Sequence, residues 1–173
     1  AMRISIWSCL LLAATAAVTA AQPWGVGSGP NLVQNPGFET LDENGRPEHW
    51  SAPGPVYSAA DEPVRTGERS LQYVNDDASR YLLCSQRITL EPGRRYHVQA
   101  WVRTENVQGK DTGAAVCIEY SDADGAYLGG YYPSGRKGDI TEWTEVGGIS
   151  GRVPEAAASV SVLCYVLKDM TGT

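Results

Sequence analysis

The sequence has few of the residues on which most enzymes and nucleic-acid-binding proteins depend. It contains only two histidines, His49 and His97, and its 14 lysines and arginines are outnumbered by 20 aspartates and glutamates. The net charge of −6 argues against nucleic acid and against an anionic membrane surface as partners. Neither histidine lies in a nucleophile elbow or an HExxH motif. The composition says little about a neutral ligand.

Apolar runs of the roughly 20 residues needed to span a bilayer are also missing. The longest run lies within residues 2–21, where Arg3 precedes an apolar stretch and then small residues, which is typical of a secretory signal peptide. We expect residues 1–21 to be removed and the protein to be secreted, with the periplasm or the cell surface as alternatives. A Gly/Pro-rich linker over residues 22–30 then precedes one domain over residues 31–173.

No CxxC motif is present, which argues against a thiolate metal site. Cys9 would leave with the signal peptide, so three cysteines remain, Cys84, Cys117 and Cys164. In an oxidising compartment they permit one disulfide and one leftover thiol. They could equally be small buried core residues, because all three lie in apolar, strand-like runs. The sequence does not decide which two of the three cysteines would form the disulfide.

No segment carries a sustained helical period. Short β-rich runs instead alternate with Gly, Pro, Asn and Asp clusters such as Asp122–Gly125, which reads as a hairpin turn. This pattern predicts an all-β chain, folded as a two-sheet antiparallel β-sandwich of jelly-roll kind. The clearest predicted strands are residues 69–74, 80–90, 95–104, 114–120, 143–149 and 159–167.

A pair of carboxylates suited to glycoside hydrolysis is not apparent in the sequence. Glu119 has acidic neighbours only in the turn at Asp122 and Asp124, and Asp76 and Asp77 lie in a predicted loop. We therefore expect no catalysis by this chain, and we retain a divergent glycoside hydrolase as the less favoured alternative.

The stretch Asn31–Glu39, which includes Asn-Pro-Gly-Phe-Glu, is followed by residues 47–50 (Pro-Glu-His-Trp), 66–71 (Thr-Gly-Glu-Arg-Ser-Leu) and 85–93. These landmarks resemble carbohydrate-binding modules of families 4, 9, 16 and 22, which share a galactose-binding-like jelly roll. The resemblance spans residues 31–173. It implies non-catalytic binding of a polysaccharide or oligosaccharide that targets an attached extracellular enzyme or surface protein. A structural or adhesive β-sandwich without sugar binding is the alternative.

Members of this family close with a further strand that carries paired aspartates, whereas this sequence ends at Thr173. We therefore expect the last strand to be missing and a covalently attached domain to lie downstream. The resemblance also implies a structural calcium, with Glu39 as a ligand and Gly37 and Thr66 contributing backbone carbonyls. The alternative is that Glu39 pairs with a backbone amide or a nearby arginine.

Alternation along residues 95–104 puts Trp101 on one face together with polar neighbours, as in a sugar platform, where an aromatic ring stacks on a pyranose. Glu119 could accept hydrogen bonds from sugar hydroxyls, and the tyrosine-rich segment that follows could form a cleft wall. Ordinary packing is the alternative for each aromatic residue, and we expect it for Trp50 and Trp143. The predicted carbohydrate-binding set is Trp101, Gln99, Arg103, Glu119, Tyr127, Tyr131, Tyr132 and Tyr165.

Overall fold

A computed structural model describes residues 2–5 and 29–173, and within these ranges every regular element is a β-strand. The predicted cleavage site, Cys9 and residues 22–28 of the predicted linker lie outside the described residues. The strands are β1 (Met2–Ser5), β2 (Tyr57–Ala60), β3 (Ser70–Tyr73), β4 (Cys84–Ile88), β5 (His97–Gly109), β6 (Ala115–Ser121), β7 (Tyr127–Tyr131), β8 (Gly138–Ile149), β9 (Ser159–Tyr165) and β10 (Met170–Thr171).

The strands form two antiparallel sheets, which confirms the predicted all-β sandwich. The larger sheet has the order β10-β5-β1-β3-β2, with β8 paired along the other edge of β5. The smaller sheet has the order β4-β9-β6-β7. The jelly-roll connectivity in particular stays a prediction.

Alternating burial shows which side of each sheet forms the core. In β5, Val98, Ala100 and Val102 are buried, whereas Gln99 and Trp101 between them are half-buried. A strand sends successive side chains to opposite faces, so the first set points between the sheets and the second points outward. In β6 and β9 the inward residues join one continuous core, whose members here are Val116, Ile118, Tyr120, Val160, Val162 and Cys164.

The Asn-Pro-Gly-Phe-Glu motif forms a tight turn, in which the amide of Phe38 donates to the Asn35 carbonyl at 3.1 Å. The Asn35 side chain then ties down the following loop, because its Nδ2 donates to the carbonyls of Thr40 and Glu48. Its own carbonyl accepts from the Trp50 indole at 3.1 Å. Phe38 is fully buried and lies 5.1 Å from the Trp50 ring. Both rings are therefore structural, as expected for Trp50.

Two segments outside the clearest predicted strands, residues 40–65 and 122–142, also contain strands. Residues 57–60 form β2, and β7 begins right after the turn at Asp122. β7 has two consecutive glycines and no clean alternation, and it forms only because its backbone pairs with β6. Such strands are specified by tertiary pairing rather than by local propensity.

Two short strands follow one another in the channel between β3 and β5. β10 lies antiparallel to β5 at residues 108–109, and Gly172 bridges Asn75 just beyond β3. β1, which falls within the predicted signal peptide, lies antiparallel to β5 at residues 101–103 and also pairs with β3. The backbone groups of β3 and of β5 that face each other across this gap can therefore pair with a strand that lies between them.

No helix of membrane-spanning length and apolarity is found among the described residues.

We predict that Phe38→Ala lowers the free energy of unfolding by about 3–5 kcal/mol, because it removes a fully buried ring and leaves a cavity beside Trp50. Urea denaturation followed by tryptophan fluorescence measures this change. Leu32→Ala is the matched control, since Leu32 is 42% exposed, and its effect should stay within about 0.5 kcal/mol. A loss below about 1 kcal/mol for Phe38→Ala would show that the ring is not a core residue.

Candidate functional site

The outer face of the smaller sheet carries four of the eight side chains predicted to bind carbohydrate. In β6 the outward positions are Cys117 and Glu119, since Val116, Ile118 and Tyr120 face the core. In β9 the outward residues are Ser161, Leu163 and Tyr165. The register places Glu119 opposite Ser161, and Cys117 opposite Leu163. Polar groups therefore alternate with apolar ones on a single surface.

Four tyrosines form a ridge along this face, Tyr81, Tyr127, Tyr132 and Tyr165, which we call the tyrosine ridge. The ring centroids of Tyr132 and Tyr165 are 5.9 Å apart with an interplanar angle of 55°. Tyr81 neighbours Tyr165. Tyr127 is 60% exposed and Tyr132 45% exposed, so their rings are open to a ligand.

A hydrogen-bond chain holds the end of the ridge next to β7. The Tyr132 hydroxyl donates to Glu119 Oε1 at 2.8 Å, and the Tyr127 and Tyr132 hydroxyl oxygens are 2.8 Å apart. Because the Tyr132 proton is committed to Glu119, Tyr127 is the donor in the second bond. Gly130 makes room for this arrangement, since a Cβ there would lie 2.8 Å from the Tyr132 ring. The glycine allows Tyr132 to fold over β7.

A cavity of about 280 Å³ opens beside the ridge. Cys117 contributes to its surface from β6, and Tyr132 and Tyr165 contribute from two sides. A shallow depression with aromatic walls and a few polar groups is the usual form of a small-ligand site. The lining residues are Asp111, Thr112, Cys117, Tyr132, Pro133 and Tyr165.

The hydroxyls of Tyr132 and Tyr165 stay protonated over the physiological range. Burial, then the hydrogen bonds with Tyr127 and Glu119, raises the pKa of Tyr132 well above its ordinary value. Burial also raises the pKa of Tyr165, with a further contribution from the neighbouring Tyr81. Tyr132 and Tyr165 therefore remain neutral phenols, and the Tyr132 proton is the one that Glu119 accepts.

A second cavity of about 380 Å³ lies across the segment 131–136 from the first, and Pro133 borders both. Tyr131 lines it, but Tyr131 packs against the core rather than joining the ridge. The Arg136 guanidinium there donates to the carbonyls of Gly135 and Glu145. Although this cavity is larger, it lacks a pair of exposed rings, and we favour the ridge as the site.

The remaining predicted binding residues lie on the opposite side of the sandwich. Trp101, Gln99 and Arg103 point outward from β5 in the larger sheet. The Arg65 guanidinium carbon lies 3.8 Å from the centroid of the Trp101 ring, so one face of that ring is already covered by a cation. Apart from Tyr131, the predicted set therefore divides between two faces, with Glu119, Tyr127, Tyr132 and Tyr165 together on one of them.

The corner predicted to hold calcium is closed by protein contacts. Both carboxylate oxygens of Glu39 accept from the Glu68 amide, at 3.3 and 3.1 Å, and Arg69 donates to the Glu39 carbonyl at 2.9 Å. Gly67, at φ +73°, leaves room for this carboxylate, since a Cβ there would lie 2.0 Å from Glu39 Oε1. The contact between the Glu39 carboxylate and the Glu68 amide matches the alternative interpretation, in which Glu39 pairs with a backbone amide.

Calcium binds six to eight oxygens, whereas among the described residues no cluster of three His, Cys, Asp or Glu side chains is found. With Gly37 and Thr66 able to add only backbone carbonyls, the described residues at this corner do not complete such a shell. Calcium binding at Glu39 stays a prediction.

Sequence reasoning did not identify Tyr81, Asp111, Thr112 and Pro133 as site residues. Tyr81 lies just before β4, and Asp111 and Thr112 lie in the connection between β5 and β6. No local motif marks them, because only the folding of these connections beside the sheet brings them near Tyr165 and Tyr132.

Sequence comparison identifies the family of the chain. The profile of the family described as "Carbohydrate binding domain" (families 4 and 9) matches residues 30–149, which is more than half of the chain. The chain belongs to this family of carbohydrate-binding domains. The resemblance carried by residues 31–39 and the later landmarks is thereby confirmed.

One similar solved structure is titled "Family 16 Carbohydrate Binding Module-2". It shares 18% sequence identity with this domain, over 76% of this chain and 92% of that one, with a TM-score of 0.42. Among curated proteins, no sequence matches the chain. The family assignment therefore rests on the sequence profile.

We predict that the stability difference between the wild-type domain and Tyr132→Phe depends on pH only at alkaline values. The Tyr132 pKa is raised on folding, so its hydroxyl contributes stability that is fully present below the unfolded pKa of about 10 and is lost as the pH rises above it. Urea unfolding of both proteins between pH 7 and pH 11 measures this. A difference that stays constant up to pH 11 would contradict the raised pKa.

Proposed function

We propose that this domain binds a neutral polysaccharide or oligosaccharide without cleaving it, on the outer face of the smaller sheet. The observation that carries the proposal is the tyrosine ridge, with two rings 5.9 Å apart beside a cavity of about 280 Å³. Membership of a carbohydrate-binding family supports the ligand class.

Each part of the ridge suits one part of a sugar. The apolar face of a pyranose stacks on a tyrosine ring, and the ring gains both burial and electrostatic contact. The ring hydroxyls and the Glu119 carboxylate can hydrogen-bond the hydroxyls at the sugar's edge. Because Tyr132 holds Glu119 before a ligand arrives, little side-chain entropy is lost on binding.

The charges around the cavity favour a neutral glycan over an acidic one. Asp111 lines the cavity and Glu119 is bonded to Tyr132 at its rim. Arg87 also points outward on this sheet, but it lies two strands away from Glu119, beyond Ser161. A uronate carboxylate in the cavity would therefore meet like charges first.

The proposal includes a targeting role, in which the domain brings an attached protein to the polysaccharide. A module that holds a polysaccharide without cleaving it serves an attached extracellular enzyme or surface protein by keeping it near its substrate. The layout of residues 2–21 supports secretion.

We predict that Tyr132→Ala and Tyr165→Ala each weaken binding about tenfold or more, since losing a stacked ring costs roughly 1.4 kcal/mol. Affinity electrophoresis on a panel of soluble β-glucans, xylans and mannans, with pull-down on insoluble cellulose and chitin, identifies the ligand. Isothermal titration with the best ligand then measures the loss.

Trp101→Ala is the matched control, because it removes an aromatic residue from the opposite sheet. Its binding should equal that of the wild type. If Trp101→Ala abolishes binding and the tyrosine variants do not, the sugar site lies on the larger sheet. If the wild type binds no glycan, the structural or adhesive interpretation replaces this one, and release of reducing sugar would support the hydrolase interpretation.

We predict that neutral glycans are bound in preference to polyuronates, and that Asp111→Asn raises retention on polygalacturonate at low ionic strength because it removes a like charge from the cavity. Asp124→Asn is the control, since Asp124 is exposed in the turn between β6 and β7. Tighter binding of polygalacturonate than of any neutral glycan by the wild type would contradict the proposed selectivity.

A further inference from the structure

The three described cysteines lie on three adjacent strands of the smaller sheet. Cys84 is in β4, Cys164 in β9 and Cys117 in β6, and each is buried and present as a thiol. Cys84 and Cys164 are direct partners in the antiparallel pairing of β4 with β9. Cys117 pairs instead with Leu163.

The side chains of Cys84 and Cys164 point to the same side of the sheet. Both belong to the core cluster between the two sheets, with no exposed surface. Cys117 faces the other way and lines the cavity beside Tyr132 and Tyr165. Because the sheet separates Cys117 from the other two thiols, only the pair Cys84 and Cys164 can meet without rearrangement.

The spacing of this pair fits a covalent bond. Directly opposed residues of antiparallel strands have Cα atoms about 4.5–5.5 Å apart, and disulfides span Cα distances of about 4.4–6.8 Å. Their proximity is consistent with the electrostatics, since burial raises the pKa of Cys164 and the neighbouring Cys84 thiol raises it further.

We propose that Cys84 and Cys164 form a cross-strand disulfide that ties β4 to β9, while Cys117 stays a thiol beneath the tyrosine ridge. The oxidant is a small-molecule disulfide of the glutathione type. One cysteine thiolate attacks it and releases one glutathione thiol, and the second cysteine then attacks the mixed disulfide and releases the other. Two S–H bonds are lost, one S–S bond forms, and both electrons and both protons leave on the two glutathiones.

The bond forms while the chain folds. Exchange requires a thiolate that the oxidant can reach, whereas in the folded protein both thiols are fully buried. Once formed, the bond fixes the strand on which Tyr165 directly follows Cys164. It does not depend on whether the domain binds sugar.

Peptide mapping tests the pairing directly. The full chain is reduced in denaturant, refolded with reduced and oxidised glutathione, alkylated in denaturant and digested with trypsin without reduction. The three cysteines fall in separate peptides, residues 81–87, 111–136 and 153–168. We expect residues 81–87 linked to residues 153–168, with Cys117 alkylated.

A stability measurement gives a second readout. Refolding with glutathione rather than with excess reductant should raise the Tm of the wild type by about 5–15 °C, because the bond restricts the unfolded chain. Cys117→Ala, the matched control, should show the same gain. Cys84→Ala and Cys164→Ala should show none.

Either of two results overturns the proposal. One is alkylation of both Cys84 and Cys164 in the refolded wild type. The other is a linkage that joins Cys117, or Cys9 in residues 4–65, to any partner. Because the mapping uses the wild-type chain, it decides the question even if a variant does not fold. Glycan binding measured on the same samples tests the proposed function separately.

Discussion

The pairing of β6 with β9 is the interaction on which the rest of the smaller sheet depends. It runs without a register shift from Ala115 opposite Tyr165 to Ser121 opposite Ser159. A slip of one residue would exchange the core face for the outer face along the whole strand. It would bury Glu119 and expose Ile118, so the burial of the valines in these strands maintains the register.

This register has consequences on both faces of the sheet. Toward the core, it places Cys164 beside Val116 while β4 brings Cys84 to its other side. Toward the outside, it places Glu119 next to the edge strand β7, and Tyr132, which directly follows β7, donates to Glu119. The buried thiols and the aromatic surface are therefore set by one ladder of backbone hydrogen bonds.

The opening motif provides the second constraint, because it closes the end of the sandwich. Gln86 of β4 is buried, and its amide group exchanges two hydrogen bonds with the backbone of Gln34, at 2.7 and 2.9 Å. Asn35 then organises the loop that brings Trp50 onto Phe38. The opening motif of this chain thus contributes a set of hydrogen bonds and one ring pair, which is a structural role rather than a binding role.

Most strands could be predicted from local pattern, because the strong alternation in β5 and the apolar runs in β6 and β9 are typical of strands and of few other structures. The site could be predicted only in part. Tyr165 and Glu119 followed from alternation, whereas Tyr132 follows a glycine-rich edge strand and reaches the face by folding over Gly130. Alternation also predicted that Trp101 forms a ligand platform, yet Trp101 lies on the other sheet, where Arg65 covers one face of its ring.

The sequence by itself determined the all-β class, the core positions of the strong strands and membership in a carbohydrate-binding family. These properties depend on side-chain periodicity and on short motifs, which a linear chain displays directly. Only the tertiary structure decided which aromatic residues share a face and which cysteines are neighbours. Those relations depend on which strands pair and in what register, and this is set by long-range backbone pairing.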